Sequence, residues 1–85
     1  MALTEVIIYS KPACCLCDKA KEQLAKLQEE YGFALHEVNI LEDSAAYKLF
    51  KDEVPVIFVN GEKAFKYRLE EEHFTRLLES IAHKL

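Results

Sequence analysis

The sequence predicts one α/β domain in which a four-stranded mixed sheet is flanked by three helices. Three observations carry this reading. The strands read at residues 5–10 and 55–59 carry continuous rather than alternating apolar runs, Val6 to Tyr9 and Pro55 to Val59, as central strands covered on both faces do. Two longer segments repeat apolar residues every three or four positions, the mark of helices with one buried stripe. The resulting order, β-α-β-α-β-β-α, opens with a strand–helix–strand unit, which implies parallel pairing through a right-handed crossover.

Each element has its own signals. Glu5 to Ser10 is the first strand and ends at Lys11-Pro12. From Cys15 to about Tyr31, the residues Leu16, Cys17, Ala20, Leu24, Leu27 and Tyr31 define one helical stripe, and Gly32 stands where a helix C-cap glycine belongs. Phe33 to Ile40 is the second strand, with Phe33 and Leu35 on one face and Ala34 and His36 on the other. Asp43 or Ser44 caps a short helix covering Ala45, Ala46, Tyr47, Leu49 and Phe50. Pro55 to Val59 is the third strand. Asn60-Gly61 then supplies a two-residue turn, since both residues tolerate positive φ. The returning strand, Lys63 to Arg68, sets Phe65 and Tyr67 against Ala64, Lys66 and Arg68, as an edge strand does. The last helix runs from about Glu70 to Lys84, with Phe74, Leu77, Leu78 and Ile81 inward, acids in its first turn and His83 and Lys84 in its last.

Composition bounds the function. A chain of 85 residues has room for a single domain over 1–85, burying about 60–65% of its unfolded surface. A hydrophobic fraction of 51%, with four tyrosines and five phenylalanines, suffices for a core without a staple. The formal charge is −4 and the lysines are scattered, so the basic stripe of a nucleic-acid binder is missing. The residues Met1-Ala2-Leu3-Thr4-Glu5 lack the basic stretch and long apolar core of a secretory signal, and no apolar run approaches the ~18 residues of a membrane span. A cytoplasmic, reducing compartment is the expectation, with no nucleic acid or membrane as partner. There, three cysteines within four positions read as catalytic, redox-active or metal-binding rather than as structural disulfides.

Cys14-Cys15-Leu16-Cys17 stands where the first strand hands over to the first helix. A thiol there faces unpaired backbone N–H groups and the positive end of the helix dipole, both of which favour the thiolate. Lys11 adds a positive charge on the same side. Among the three possible pairs, Cys14 and Cys17 lie one turn apart on one helix face, within disulfide reach. Cys15 points elsewhere, and a Cys14–Cys15 bridge would strain the peptide. Cys14, at the helix mouth, is the candidate nucleophile, and Cys17, one turn inside, the resolving thiol. Cys15 reads as a small residue on the side of the helix, with no assigned duty. Val54-Pro55 is a second signal, because proline cannot donate to a ladder and suits the first residue of a strand, where a cis bond is one option.

Taken together, Tyr9 to Cys14, Cys17, Val54-Pro55 and Phe58-Val59-Asn60-Gly61 resemble the glutaredoxin branch of the thioredoxin superfamily. The element order matches a thioredoxin-like fold over essentially the whole chain. The nearest likeness is to glutaredoxin-like proteins with a Cys-x-Leu-Cys-Asp motif, read at Cys14 to Asp18. The resemblance implies a cis Val54–Pro55 bond beside Cys14, main-chain pairing of Val54 with an extended thiol substrate, and a part for Lys11 in thiolate formation and glutathione binding. Some positions depart from the family pattern. Cys-Cys-Leu-Cys replaces Cys-Pro-Tyr-Cys, Glu53 precedes Val54-Pro55 where threonine is usual, and Tyr67-Arg68-Leu69-Glu70 replaces a Gly-Gly-acidic motif.

The resulting expectation is a monomeric thiol–disulfide oxidoreductase that needs no bound prosthetic group. Cys14 and Cys17 are its catalytic residues; Lys11, Val54, Pro55 and Arg68 are its candidate substrate-binding residues. Its partners would be disulfide-containing proteins or small thiols and an external reductant, either glutathione as co-substrate or a thioredoxin-type reductase. The rival is a metal module, with Cu(I) on the cysteines or, by family analogy, an iron–sulfur cluster shared through Cys14. A closed zinc site lacks its second ligand pair. His36, His73 and His83 are dispersed and read as solvated or packed, and core packing accounts for most of the aromatics.

Overall fold

The computed structural model describes residues 4–83. The readings at Met1–Leu3 and at Lys84 fall outside the described residues, as does the side chain of His83. The elements are β1 (Glu5–Ser10), α1 (Cys15–Tyr31), β2 (Ala34–Asn39), a 3₁₀ turn (Ile40–Glu42), α2 (Ser44–Phe50), β3 (Val56–Val59), β4 (Glu62–Lys66) and α3 (Glu71–His83). The sheet order is β2-β1-β3-β4. The β1–β2 pair is parallel, while β1–β3 and β3–β4 are antiparallel.

Strand periodicity sorts the core into two layers. Val6 and Ile8 of β1 and Ile57 and Val59 of β3 pack with Ala20, Leu24 and Leu27 of α1 and Phe74 and Leu78 of α3. The intervening residues, Tyr9 on β1 and Val56 and Phe58 on β3, join Ala46 and Phe50 of α2 on the opposite face. Both central strands are therefore covered on both sides, which is why they read as continuous apolar runs. Each fully buried large apolar side chain contributes about 1.5–3 kcal/mol. Phe74, fully buried, also meets Phe33 and Phe65 edge-on at 5.5 and 6.0 Å.

Local chemistry sets the ends. Gly32 adopts φ 73° and its N–H donates to the Gln28 carbonyl at 2.8 Å, closing α1 with a left-handed residue. Asp43 caps α2, its Oδ1 accepting from the N–H groups of Ala45 and Ala46 at 3.0 and 3.1 Å. Asn60 and Gly61 both have positive φ and turn β3 into β4. The Asn60 side chain accepts from the Glu5 N–H at 2.9 Å, tying the turn to β1.

The structure corrects several expectations. Leu16 and Tyr31 lie at the two ends of the α1 stripe but are exposed; the buried residues of α1 are Cys17, Ala20, Leu24 and Leu27. On the short α2, Ala46 and Phe50 are buried while Tyr47 and Leu49 face outward. Together with exposed Tyr67, this leaves three of the four tyrosines outside the core. Ile40 belongs to the 3₁₀ turn rather than to β2. The largest departure is β4, which stops at Lys66 and carries a bulge: Phe65 stands opposite Ile57, but Lys63 stands opposite Phe58. Ala64 is the extra residue, so Lys63 is turned onto the α2 face, where its Nζ lies 5.8 Å from the Phe50 ring centroid.

Candidate active site

The motif lies at the carboxyl end of β1, where the chain must turn from the sheet into α1. Ala13 makes that turn with φ 57°, a left-handed conformation that costs a non-glycine residue about 1 kcal/mol or more. Cys14 follows in an extended conformation and is itself the N-cap of α1. Its carbonyl accepts the first helical bond, from the Asp18 N–H at 3.0 Å. Its Sγ accepts from the Cys17 N–H at 3.4 Å. The Cys14 sulfur thus occupies the place where a serine or aspartate oxygen normally caps a helix.

The two thiols of the pair, both reduced, sit in contrasting environments. Cys14 is half-buried, Cys17 has no exposed surface and Cys15 is exposed. Partial burial opposes ionisation of Cys14. That effect is outweighed by hydrogen bonds from the Cys17 thiol and from the Cys17 and Leu16 N–H groups, and by the charge of Lys11, so its pKa lies below the ordinary thiol value. Burial raises Cys17 to about 11, and the hydrogen bond it donates to Cys14 and the charge of that thiolate act in the same direction. The Lys11 N–H and the Lys21 ammonium act against this rise. Cys17 therefore keeps its proton at a pH where Cys14 has lost its own.

The other expected residues are placed as follows. Val54 and Pro55 are buried, the bond between them is cis, and Val54 shares one apolar cluster with Cys14 and Cys17. Lys11 is exposed and acts on Cys14 through its charge. Arg68 does not touch the pair. It is exposed and lines a cleft of about 340 Å³ with Leu16, Lys19, Gln23, Leu69 and Glu70, on the outer side of the motif. A broader cleft of about 720 Å³ along the start of α3 includes Arg68 and Arg76 but neither cysteine.

Glu53, next to Val54 in the sequence, is engaged by β4. Its carboxylate pairs with Lys63 at 2.8 Å and with Lys66 at 3.7 Å; Lys66 stands opposite Val56, and the bulge turns Lys63 onto the same face of β4. The Lys63 hydrogen bond leads the effects that hold its pKa below the usual carboxylate value. The Tyr67 N–H, at φ 70°, donates to both the Glu53 and the Pro55 carbonyls, at 3.2 and 2.9 Å. This ends β4 and ties the start of the Tyr67–Glu70 segment to the cis-proline turn.

Sequence reasoning missed Lys21. It lies four residues after Cys17, on the same face of α1, and pairs with Glu37 of β2 at 2.7 Å. Its spacing from Cys17 was visible; its carboxylate partner comes from a strand whose register the sequence alone does not set. Among the described residues, no three His, Cys, Asp or Glu side chains are gathered as metal ligands, and no helix is long and apolar enough to cross a membrane.

Comparison with known proteins agrees with this geometry. Protein Ne2328 of Nitrosomonas europaea, solved by solution NMR, superposes with a TM-score of 0.77 at 24% identity, covering 91% of this chain and 93% of that one. Mitochondrial thioredoxin 3 of Saccharomyces cerevisiae superposes with a TM-score of 0.69 at 15% identity, covering 91% and 77%. These likenesses establish the thioredoxin-like fold. A glutaredoxin-like protein of Dictyostelium discoideum is 30% identical over 79 residues, covering 86% of this chain and 73% of that protein. The model of the Glutaredoxin-like domain matches residues 5–79, from the first residue of β1 into α3 and across both cysteines and the cis-proline turn. On that match, the chain belongs to the glutaredoxin-like family.

Proposed function

We propose that this protein is a thiol–disulfide oxidoreductase that works through the Cys14–Cys17 pair. The observation that carries the proposal is the asymmetry of the two thiols: Cys14 caps α1 with its sulfur and is drawn toward the thiolate, while Cys17 is buried and protonated. In the first step the Cys14 thiolate attacks one sulfur of a substrate disulfide. A Cys14–substrate S–S bond forms, the substrate's own S–S bond breaks, and the leaving thiolate takes a proton from water. In the second step Cys17 loses its proton and attacks Cys14 Sγ, forming the Cys14–Cys17 disulfide and expelling the second substrate thiolate. Two electrons pass from the pair to the substrate, and no prosthetic group takes part.

The substrate class under this reading is a protein or small-molecule disulfide approaching the half-exposed Cys14, its chain laid along Val54 before the cis-proline turn. Lys11 supports the thiolate, and Arg68 meets a more distant part of the substrate from the cleft beside Leu16. An external thiol such as glutathione, or a thioredoxin-type reductase, returns the pair to the reduced state, in a reducing cytoplasm and on a monomer. Copper or cluster binding is the weaker reading, because Cys14 and Cys17 differ in burial and ionisation as an attacking and a resolving thiol do, and among the described residues no third His, Cys, Asp or Glu side chain is gathered with them.

The test is alkylation of the reduced, metal-free protein across pH, with mass mapping of the modified cysteine. Cys14 is expected to label first, at a pH below the free-thiol value of ~8.5. Cys14→Ser should abolish disulfide turnover, and Cys17→Ser should trap mixed disulfides. Full activity in Cys14→Ser, or first labelling at Cys15, would overturn the assignment.

A further inference from the structure

The second step sets a problem that the first does not. Cys17 is fully buried among Ile40, Ala46, Phe50, Val54 and Val56, yet it must become a thiolate to attack. While Cys14 is a thiolate, its hydrogen bond and its negative charge both hold the proton on Cys17. Once Cys14 is engaged in a mixed disulfide, both influences are gone. The Lys11 N–H and the Lys21 ammonium then remain as the groups that favour ionisation. The backbone N–H is fixed by the fold. Lys21 is a side chain, and a second side chain governs it.

Lys21 is half-buried on α1, one helical turn beyond Cys17. Glu37 stands opposite Ile8 in the parallel β1–β2 ladder. Leu35, two residues earlier and so on the same strand face, packs into the α1 side of the core. Glu37 is thereby aimed at α1, and its Oε1 meets the Lys21 Nζ at 2.7 Å. The carboxylate holds the ammonium in place and also offsets part of its field at Cys17.

We propose that the Lys21–Glu37 ion pair is a positioning device for the second half of the exchange: Lys21 promotes attack by Cys17 on the mixed disulfide, and Glu37 restrains it. The inference rests on the oxidoreductase reading given above. The other ionisable groups near Cys17 are Cys14, Asp18 next to it on α1, and Tyr9, packed from β1. Asp18 also acts on Lys21, holding its proton as Glu37 does. From the 3₁₀ turn, α2 and β3, the residues that cluster with Cys17 are Ile40, Ala46, Phe50, Val56 and Phe58.

The two partners have opposite effects, so breaking the same ion pair from either end should give opposite results. The probe is dipyridyl disulfide, which is uncharged and releases a chromophore at each step. In a Cys15→Ser background, the first equivalent reports attack by Cys14 and the second reports attack by Cys17. Lys21→Met is expected to slow the second phase about threefold and to move its rising pH limb upward. Glu37→Gln is expected to speed it by a similar factor and to move the limb downward, as thiolate fractions changed by a nearby partly screened charge would. The first phase should be unchanged in both variants, and Lys21→Arg should restore the parent rate.

If both variants slow the second phase alike, or neither alters it, the ion pair is only a surface contact and the proposal fails. If no second equivalent is released by the parent protein, the oxidoreductase reading fails instead.

Discussion

Cys14 and Cys17 carry the same side chain three positions apart, and their surroundings drive them in opposite directions. Cys14 Sγ meets N–H donors at a helix start, while Cys17 lies one turn deeper with apolar residues around it. The position of the pair was legible from the sequence, because any thiol at a strand-to-helix junction inherits those donors. The tuning by Lys21 was not, since it depends on a carboxylate from β2. Lys11 offers a check on the relative weights. Its charge is the smallest of the influences that favour the Cys14 thiolate, behind the hydrogen bonds from Cys17 and Leu16. Lys11→Met should therefore move the pH edge for Cys14 alkylation upward yet leave it below the ordinary thiol value. An edge that rises to that value would show that the lysine, not the helix start, activates the sulfur.

At the scale of elements, helices and central strands were readable because their signals are local. The apolar stripe of α1, the glycine after it and the Asn-Gly turn each depend on neighbours within a few residues. The end of β4 depends on remote groups. Alternation from Lys63 to Arg68 reads as one uninterrupted strand, but the register against β3 carries a bulge at Ala64, and the Tyr67 N–H is captured by Glu53 and Pro55 of the turn that precedes β3. The same limit hid the ion pairing of Glu53. The short α2 illustrates a local device that can be measured. A helix of seven residues is too short to persist on its own propensity, so it relies on Phe50 and Ala46 beneath it and on the Asp43 cap. Asp43→Ala should cost about 1 kcal/mol of stability, read as a lower urea midpoint with an unchanged slope. Because α2 covers the cluster that includes Cys17, labelling of Cys17 by a thiol reagent in the native state should rise as well. Stability loss without such a rise would mean that α2 stays docked without its cap.

Over the whole molecule, the cysteine pair is linked to folding through the ionisation of Cys17. The folded state raises the pKa of this thiol to about 11, chiefly by burial, whereas the unfolded chain leaves it near the ordinary ~8.5. Below that ordinary value both states hold the proton, and the contribution of the buried neutral thiol to stability is fully present. As pH rises beyond it, the unfolded chain ionises first and gains free energy that the folded state does not. The contribution declines progressively and is lost as pH passes through about 11. Cys14 has the opposite sign: its folded pKa is depressed, so its contribution is present above the ordinary value and is lost as pH falls through the folded one. The reduced protein should accordingly lose stability between pH ~8.5 and about 11, and Cys17→Ala should flatten that part of the curve. Urea midpoints of the reduced parent and the variant, measured across this range, decide the matter. Parallel curves would mean that Cys17 ionises in the folded protein as readily as in the unfolded chain, and the asymmetry of the pair would then rest on Cys14 alone.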